Sequence, residues 1–115
     1  MVANQYEVQG DVLIVSLEGA LNSTNSAQVE VEIQRRLDQG INQLLFDLSG
    51  LGYISSAGLR VVLIAAKRLK QSAGRLVLCG MHDQIREVFE ISGFLNILNV
   101  TDTRASALER FDEVA

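Results

Sequence analysis

Residues 41–74 read INQLLFDLSGLGYISSAGLRVVLIAAKRLKQSAG, and a change of period inside them decides the fold. INQLLFDLS is a short apolar run bounded by turn residues, the pattern of a strand buried on both faces. From Ala57 onward the apolar positions take helical spacing, so that Leu59, Val62, Leu63, Ala66 and Leu69 share one face. Lys67, Arg68 and Lys70 stand near the end of this helix, where cations suit its dipole, and Gly74 closes it. A buried strand feeding an amphipathic helix is the building unit of a parallel α/β sheet. The junction between the two carries adjacent hydroxyls, Ser55 and Ser56.

Outward from that unit, Tyr6 and Val8 alternate before Gly10-Asp11, and Val12, Ile14 and Leu17 follow, which predicts an opening antiparallel hairpin. NSTNSAQVEVEIQRRLDQG holds a strand-like VEVEI inside a segment that starts with capping residues and ends in Gly40; its length predicts a helix over about Thr24–Asp38. RLVLCG reads as a strand and DQIREVFEISG as a helix with Ile85, Val88 and Phe89 inward and Gly93 at its C-terminal end. LNILNV reads as a weaker strand, and a last helix runs from about Thr103 through Leu108 and Phe111. The expected fold is one α/β domain over residues 1–115: a mixed sheet of about five strands, opening with an antiparallel hairpin, packed with about four helices.

Composition narrows the chemistry. The 115 residues are 48% hydrophobic and 21% charged, enough for one real core. A net charge of −4 works against tracking a phosphate backbone or an anionic membrane, so no direct nucleic-acid contact and no membrane insertion are expected. Neither a signal-peptide pattern nor an apolar run of ~18 residues is seen, and a cytoplasmic location is expected. Cys79 and His82 are the only residues of their kinds, which argues against a Cys/His metal site, a Cys-His nucleophile or a Ser-His-Asp triad. Cys79 reads as a buried small hydrophobe and His82 as a surface or capping residue. There is no P-loop or GxGxxG fingerprint, so no cofactor, metal or catalytic residue is assigned.

The serine pair lies at the C-terminal end of a central strand, the sheet edge where ligands gather in open α/β folds. With the helix beginning at Ala57, Ser56 is placed to cap it by accepting from a free N–H. That leaves Ser55 without a role, and Gly58 costs about 1 kcal/mol in a helix interior unless its bare backbone receives an approaching group. A phosphate on Ser56 would sit at the positive helix end, tolerable to the domain but costly to a partner docked over it.

The segment FDLSGLGYISSAGLRVVLIAAKRLKQSAGRLVLCGMHDQIREVFEISGFLNIL resembles the core of the STAS domain, and the whole chain is similar to free-standing bacterial anti-sigma factor antagonists. The resemblance rests on the hydroxyl-bearing turn before Gly58-Leu59, the strand ending in Cys79, and the later turn at Ser92-Gly93. It implies that Ser56, two residues before Gly58, is the phosphorylated residue, with Ser55 as the alternative. It implies partner switching: the unmodified protein binds an anti-sigma factor that is also a serine kinase, phosphorylation releases it, and a serine phosphatase resets it. The better-studied members carry Asp where this chain has Ser55 and Asn22, and a second hydroxyl where it has Ala57. The partner surface is expected to centre on Ser56, with Tyr53, Ser55, Gly58 and Arg60 around it and Asn22, Ser23 and Thr24 from the neighbouring loop. The alternative is a STAS subunit that holds another partner constitutively, for example a transporter ATPase, with Ser56 only a cap.

Overall fold

A computed structural model describes residues 4–112; residues 1–3 and 113–115 of the expected domain lie outside the described residues. The elements run β1 (Gln5–Gln9), β2 (Val12–Leu21), α1 (Ser26–Asp38), β3 (Gln43–Ile54), α2 (Ser56–Gln71), β4 (Arg75–Cys79), α3 (Asp83–Ile91), β5 (Asn99–Thr101) and α4 (Arg104–Asp112). The sheet order is β1-β2-β3-β4-β5, with β1 antiparallel to β2 and every later pair parallel, as the hairpin and the strand–helix alternation predict.

Side-chain alternation along the strands divides the interior into two layers. Leu13, Val15, Leu17, Leu44, Phe46, Leu48 and Leu78 face α1, α2 and α3, which contribute Ile33, Val62 and Phe89 to the same cluster. Val12, Ile14, Leu45, Val77 and Cys79 face the opposite way and are covered by Ala107, Leu108 and Phe111 of α4. The central strands are therefore apolar at consecutive positions because both faces are covered.

VEVEI is helical within α1, since Val29 and Ile33 stand four apart and are buried while Val31 between them is 68% exposed. α1 starts at Ser26 rather than Thr24, because residues 22–25 form a side-chain-stapled turn before it. On α2, Leu59, Val62 and Leu69 are buried as expected, but Val61 and Ala65 join them while Leu63 and Ala66 are only partly covered. The burial stripe is thus rotated away from Leu63 and Ala66. Closure of α2 also differs: its left-handed residue is Ala73 (φ 58°), whereas Gly74 is needed because a Cβ there would stand 2.3 Å from the Asn42 carbonyl oxygen. Of LNILNV only Asn99 and Val100 join the sheet, at the start of β5, the four residues before them being turn and bend.

Candidate functional site

β3 is longer than INQLLFDLS. It leaves β4 at the Asp47–Cys79 pair and continues to Ile54 with β2 alone, through Glu18–Gly50, Gly19–Leu51, Ala20–Tyr53 and Leu21–Ile54. Register shifts between Ser16 and Glu18 and between Gly19 and Ala20 bend this two-stranded spur. One side of the spur is closed by Leu21, Leu51 and Ile54, all buried, and the other presents Glu18, Gly52 and Tyr53 to solvent.

The spur ends against the start of α2. The Ser55 N–H donates to the Leu21 carbonyl at 2.9 Å, which joins the ends of β2 and β3 and fixes where the helix begins. Ser55 is the N-cap, with extended backbone (φ −93°, ψ 176°), and its hydroxyl accepts from the Gly58 N–H at 3.3 Å. The expectation that Ser56 caps a helix starting at Ala57 is therefore corrected by one residue: Ser56 is the first helical residue. Its side chain is exposed and makes no hydrogen bond among the described residues.

Gly58 also changes role. It is buried, and a Cβ on it would meet the Leu21 carbonyl oxygen at 2.6 Å and the side chains of Ile54 and Leu21 at 2.9 Å. Its smallness lets α2 close against the spur, so it offers no surface to a partner. Arg60 lies one turn beyond Ser56 on the same exposed face. Tyr53, 57% exposed, precedes the pair on the spur.

The loop from β2 to α1 supplies the remainder. Asn22 accepts the Thr24 N–H on its Oδ1 at 2.9 Å, its own N–H donates to Asn25 Oδ1 at 2.9 Å, and Asn25 Nδ2 donates to the Ala20 carbonyl at 2.8 Å. This ties the loop into one conformation, with Ser23 and Thr24 exposed on it. Ser56, Ser55, Tyr53, Arg60, Asn22, Ser23 and Thr24 thus gather at one edge of the sheet; Gly58 is beneath it. Because strand order follows chain order, the sheet has no reversal point and hence none of the crevice that seats a small ligand in doubly wound folds.

Sequence reasoning missed a polar cluster on the α4 side. Arg104 donates to Asp47 Oδ2 at 2.8–2.9 Å, Ser16 Oγ at 2.8 Å and Glu7 Oε1 at 2.9 Å. Burial raises the Asp47 pKa, but donation from the Ser49 N–H and hydroxyl and from Arg104 outweighs it and holds the carboxyl below the ordinary aspartate value. Cys79 is buried as expected, and that burial, with the Asp47 charge beside it, pushes its thiol up to about 12. His82 heads α3 without capping it; its Nε2 donates instead to the Ser49 carbonyl at 2.6 Å. The Arg104 cluster shows only through hydrogen bonds between residues tens of positions apart.

Among the described residues no group of three or more His, Cys, Asp and Glu side chains could hold a metal ion, and no helix is long and apolar enough to cross a membrane. Comparison with known proteins finds that the STAS domain model matches residues 3–107. A Bordetella bronchiseptica protein with the provisional name anti-sigma factor antagonist BtrV is 50% identical over 100 residues, covering 87% of this chain and 86% of that one. Among solved structures, a Thermotoga maritima protein, also provisionally an anti-sigma factor antagonist, superposes with a TM-score of 0.93 at 23% identity, covering 96% and 95% of the two chains. The Bacillus cell fate determinant SpoIIAA in its phosphorylated form superposes with a TM-score of 0.77 at 26% identity over 95% and 99%.

Proposed function

The chain belongs to the STAS domain family, and from that membership we propose that it is an anti-sigma factor antagonist switched by phosphorylation of Ser56. Unmodified, it binds an anti-sigma factor that is also a serine kinase; phosphorylated, it lets that partner go, and a serine phosphatase restores the binding form. The observation that carries this reading is the division of labour between the two hydroxyls. Ser55 spends its oxygen on the Gly58 N–H, while Ser56 stands exposed with its hydroxyl uncommitted. A kinase can therefore reach Ser56 without dismantling the helix cap.

Ser55 stands where the resemblance expects aspartate, and the cap explains the exchange, since Ser and Asp serve almost equally at an N-cap. Asn22, in place of the other aspartate, keeps the acceptor oxygen that its turn requires. A phosphate on Ser56 would gain about 0.3–1 kcal/mol from the N-terminus of α2 and leave the fold intact. A partner seated on the same edge would have to desolvate a dianion, at a cost of several kcal/mol.

The test is titration of the anti-sigma factor, recovered from the native cell on tagged protein, with chain phosphorylated at Ser56 and verified by mass spectrometry. The expected loss of affinity is about tenfold or more, equivalent to ~1.4 kcal/mol or more. Equal affinity of the two forms overturns the switch. Alanine at Asn22 and at Arg60 is expected to weaken the unmodified complex, and unchanged affinity in both moves the interface away from this edge.

A further inference from the structure

At the far end of α2 from Ser56, an open groove of about 780 Å³ runs between the helix, the start of β4 and the segment before β5. Its floor is apolar: Leu63, Leu76, Phe94 and Leu98 are partly buried against the main core, and Ile97 is 71% exposed. The rotation of α2 described above leaves Leu63 and Ala66 only partly covered there. Two lysines, Lys67 and Lys70, line the groove, and neither has a carboxylate within ion-pairing distance among the described residues, whereas the Arg75 guanidinium donates to the Arg110 carbonyl of α4 at 2.5 Å. On a chain of net charge −4 this is a local reversal of sign.

We propose that this groove docks an amphipathic acidic helix of a partner protein. An apolar stripe fits the floor, as helix-in-groove recognition requires, and carboxylates on the flank of the stripe meet the cations. Lys67 and Lys70 lie one turn apart along α2, a spacing that carboxylates repeated once per turn on a second helix can match. A single-headed amphiphile such as a fatty acid needs one cation, and the second lysine would be left unused. A second copy of the chain shows no such stripe among the described residues: the exposed large apolar side chains there, Val8, Val31, Tyr53, Ile91 and Ile97, stand singly on different segments.

The groove begins roughly 10 Å along the helix from Ser56, at Leu63, and its first lysine lies roughly 16 Å along, at about 1.5 Å per residue, so its occupation requires neither the modification nor the partner proposed for that edge. The probe is a synthetic helical peptide of about five turns, with leucine along one stripe and glutamate on its flanks, titrated into the isotope-labelled full chain and followed by amide NMR shifts. The controls are a scrambled peptide of the same composition, a lysine-for-glutamate peptide, oleate below its micelle concentration, and dilution of the chain alone. Saturable shifts confined to Leu63, Lys67, Leu76, Phe94 and Ile97 are expected with the acidic helix only. They are expected to weaken about tenfold in the Lys67→Glu/Lys70→Glu variant, whose two exchanges are at exposed positions and are expected to lower the melting temperature slightly, through the helix dipole, while the chain stays folded. Ile97→Asp, equally exposed, is a second variant expected to lose binding. No saturable shift, equal shifts with either control peptide, shifts with oleate alone, the same shifts on concentrating the chain by itself, or full affinity in both variants overturns the proposal.

Discussion

Because the Ser55 hydroxyl accepts from the Gly58 N–H, its replacement removes the cap of α2, and Ser55→Ala is expected to cost about 0.5–2 kcal/mol in urea unfolding. Ser56→Ala removes an exposed hydroxyl without a bond and is expected to stay within about 0.5 kcal/mol of the parent. The helix cap and the proposed phosphorylation site thus fall on neighbouring residues, and the two alanine variants separate their contributions to stability. A large loss from Ser56→Ala with none from Ser55→Ala would return the cap to Ser56. The sequence marks this pair by its hydroxyls and its place between a strand and a helix, yet it does not say which serine caps. That choice depends on where the backbone leaves the extended region, and the Ser55 N–H bond to Leu21 decides it from another strand. Cys79 was legible because a thiol among RLVL in a two-sided strand has nowhere polar to point. With its pKa raised to about 12, it is expected to resist iodoacetamide at pH 8 in the native protein and to react in urea; rapid alkylation of folded chain would contradict its placement.

At the scale of elements, the spur and the start of α2 work as one piece. Gly58 permits that contact, and Gly58→Ala is expected to destabilise by about 1–3 kcal/mol, even though alanine is the better helix former, because the new methyl meets a backbone carbonyl that cannot rotate aside. A variant as stable as the parent would show that the spur can retreat from α2. The strand–helix period change identified most elements, since burial on one or two faces writes itself into 2.0 and 3.6 repeats. The spur escaped because Ser49-Gly50 and Gly52 look like a turn, and their strand conformation depends on pairing with Glu18–Leu21. Gly58 was legible as an anomaly, a glycine in the first turn of a helix, but sequence could not tell a bare surface from a close approach. Both demand the same missing Cβ. LNILNV was over-read for a related reason: Leu95 and Leu98 pack against the core from a turn, and burial without strand geometry leaves the same signature.

Across the whole molecule, the first strand and the last helix meet through one guanidinium. Arg104 of α4 reaches Glu7 on β1, Ser16 on β2 and Asp47 on β3, so it fixes α4 over the second apolar layer. The Glu7 contact is exposed and adds little, whereas the Asp47 side chain is only 10% exposed and would be left short of a partner. Arg104→Ala is accordingly expected to cost about 1–3 kcal/mol near pH 7. The pH dependence follows from the direction of the Asp47 shift. Its pKa is lower folded than unfolded, so in acid the unfolded chain binds the extra proton; the stabilisation is complete above the unfolded value of about 3.9 and is lost as pH falls through the folded value. Removing Arg104 takes away two of the influences that lower that pKa, but the Ser49 bonds remain. The stability gap between parent and Arg104→Ala should therefore be largest at neutral pH and shrink below about pH 4, as Asp47 becomes neutral in both. Urea melts of the two proteins across that range, with Asp47→Asn as the pH-insensitive reference, measure this directly. A gap that stays constant into acid would mean that Arg104 acts by packing its stem on the sheet, and that Asp47 is held by Ser49 alone.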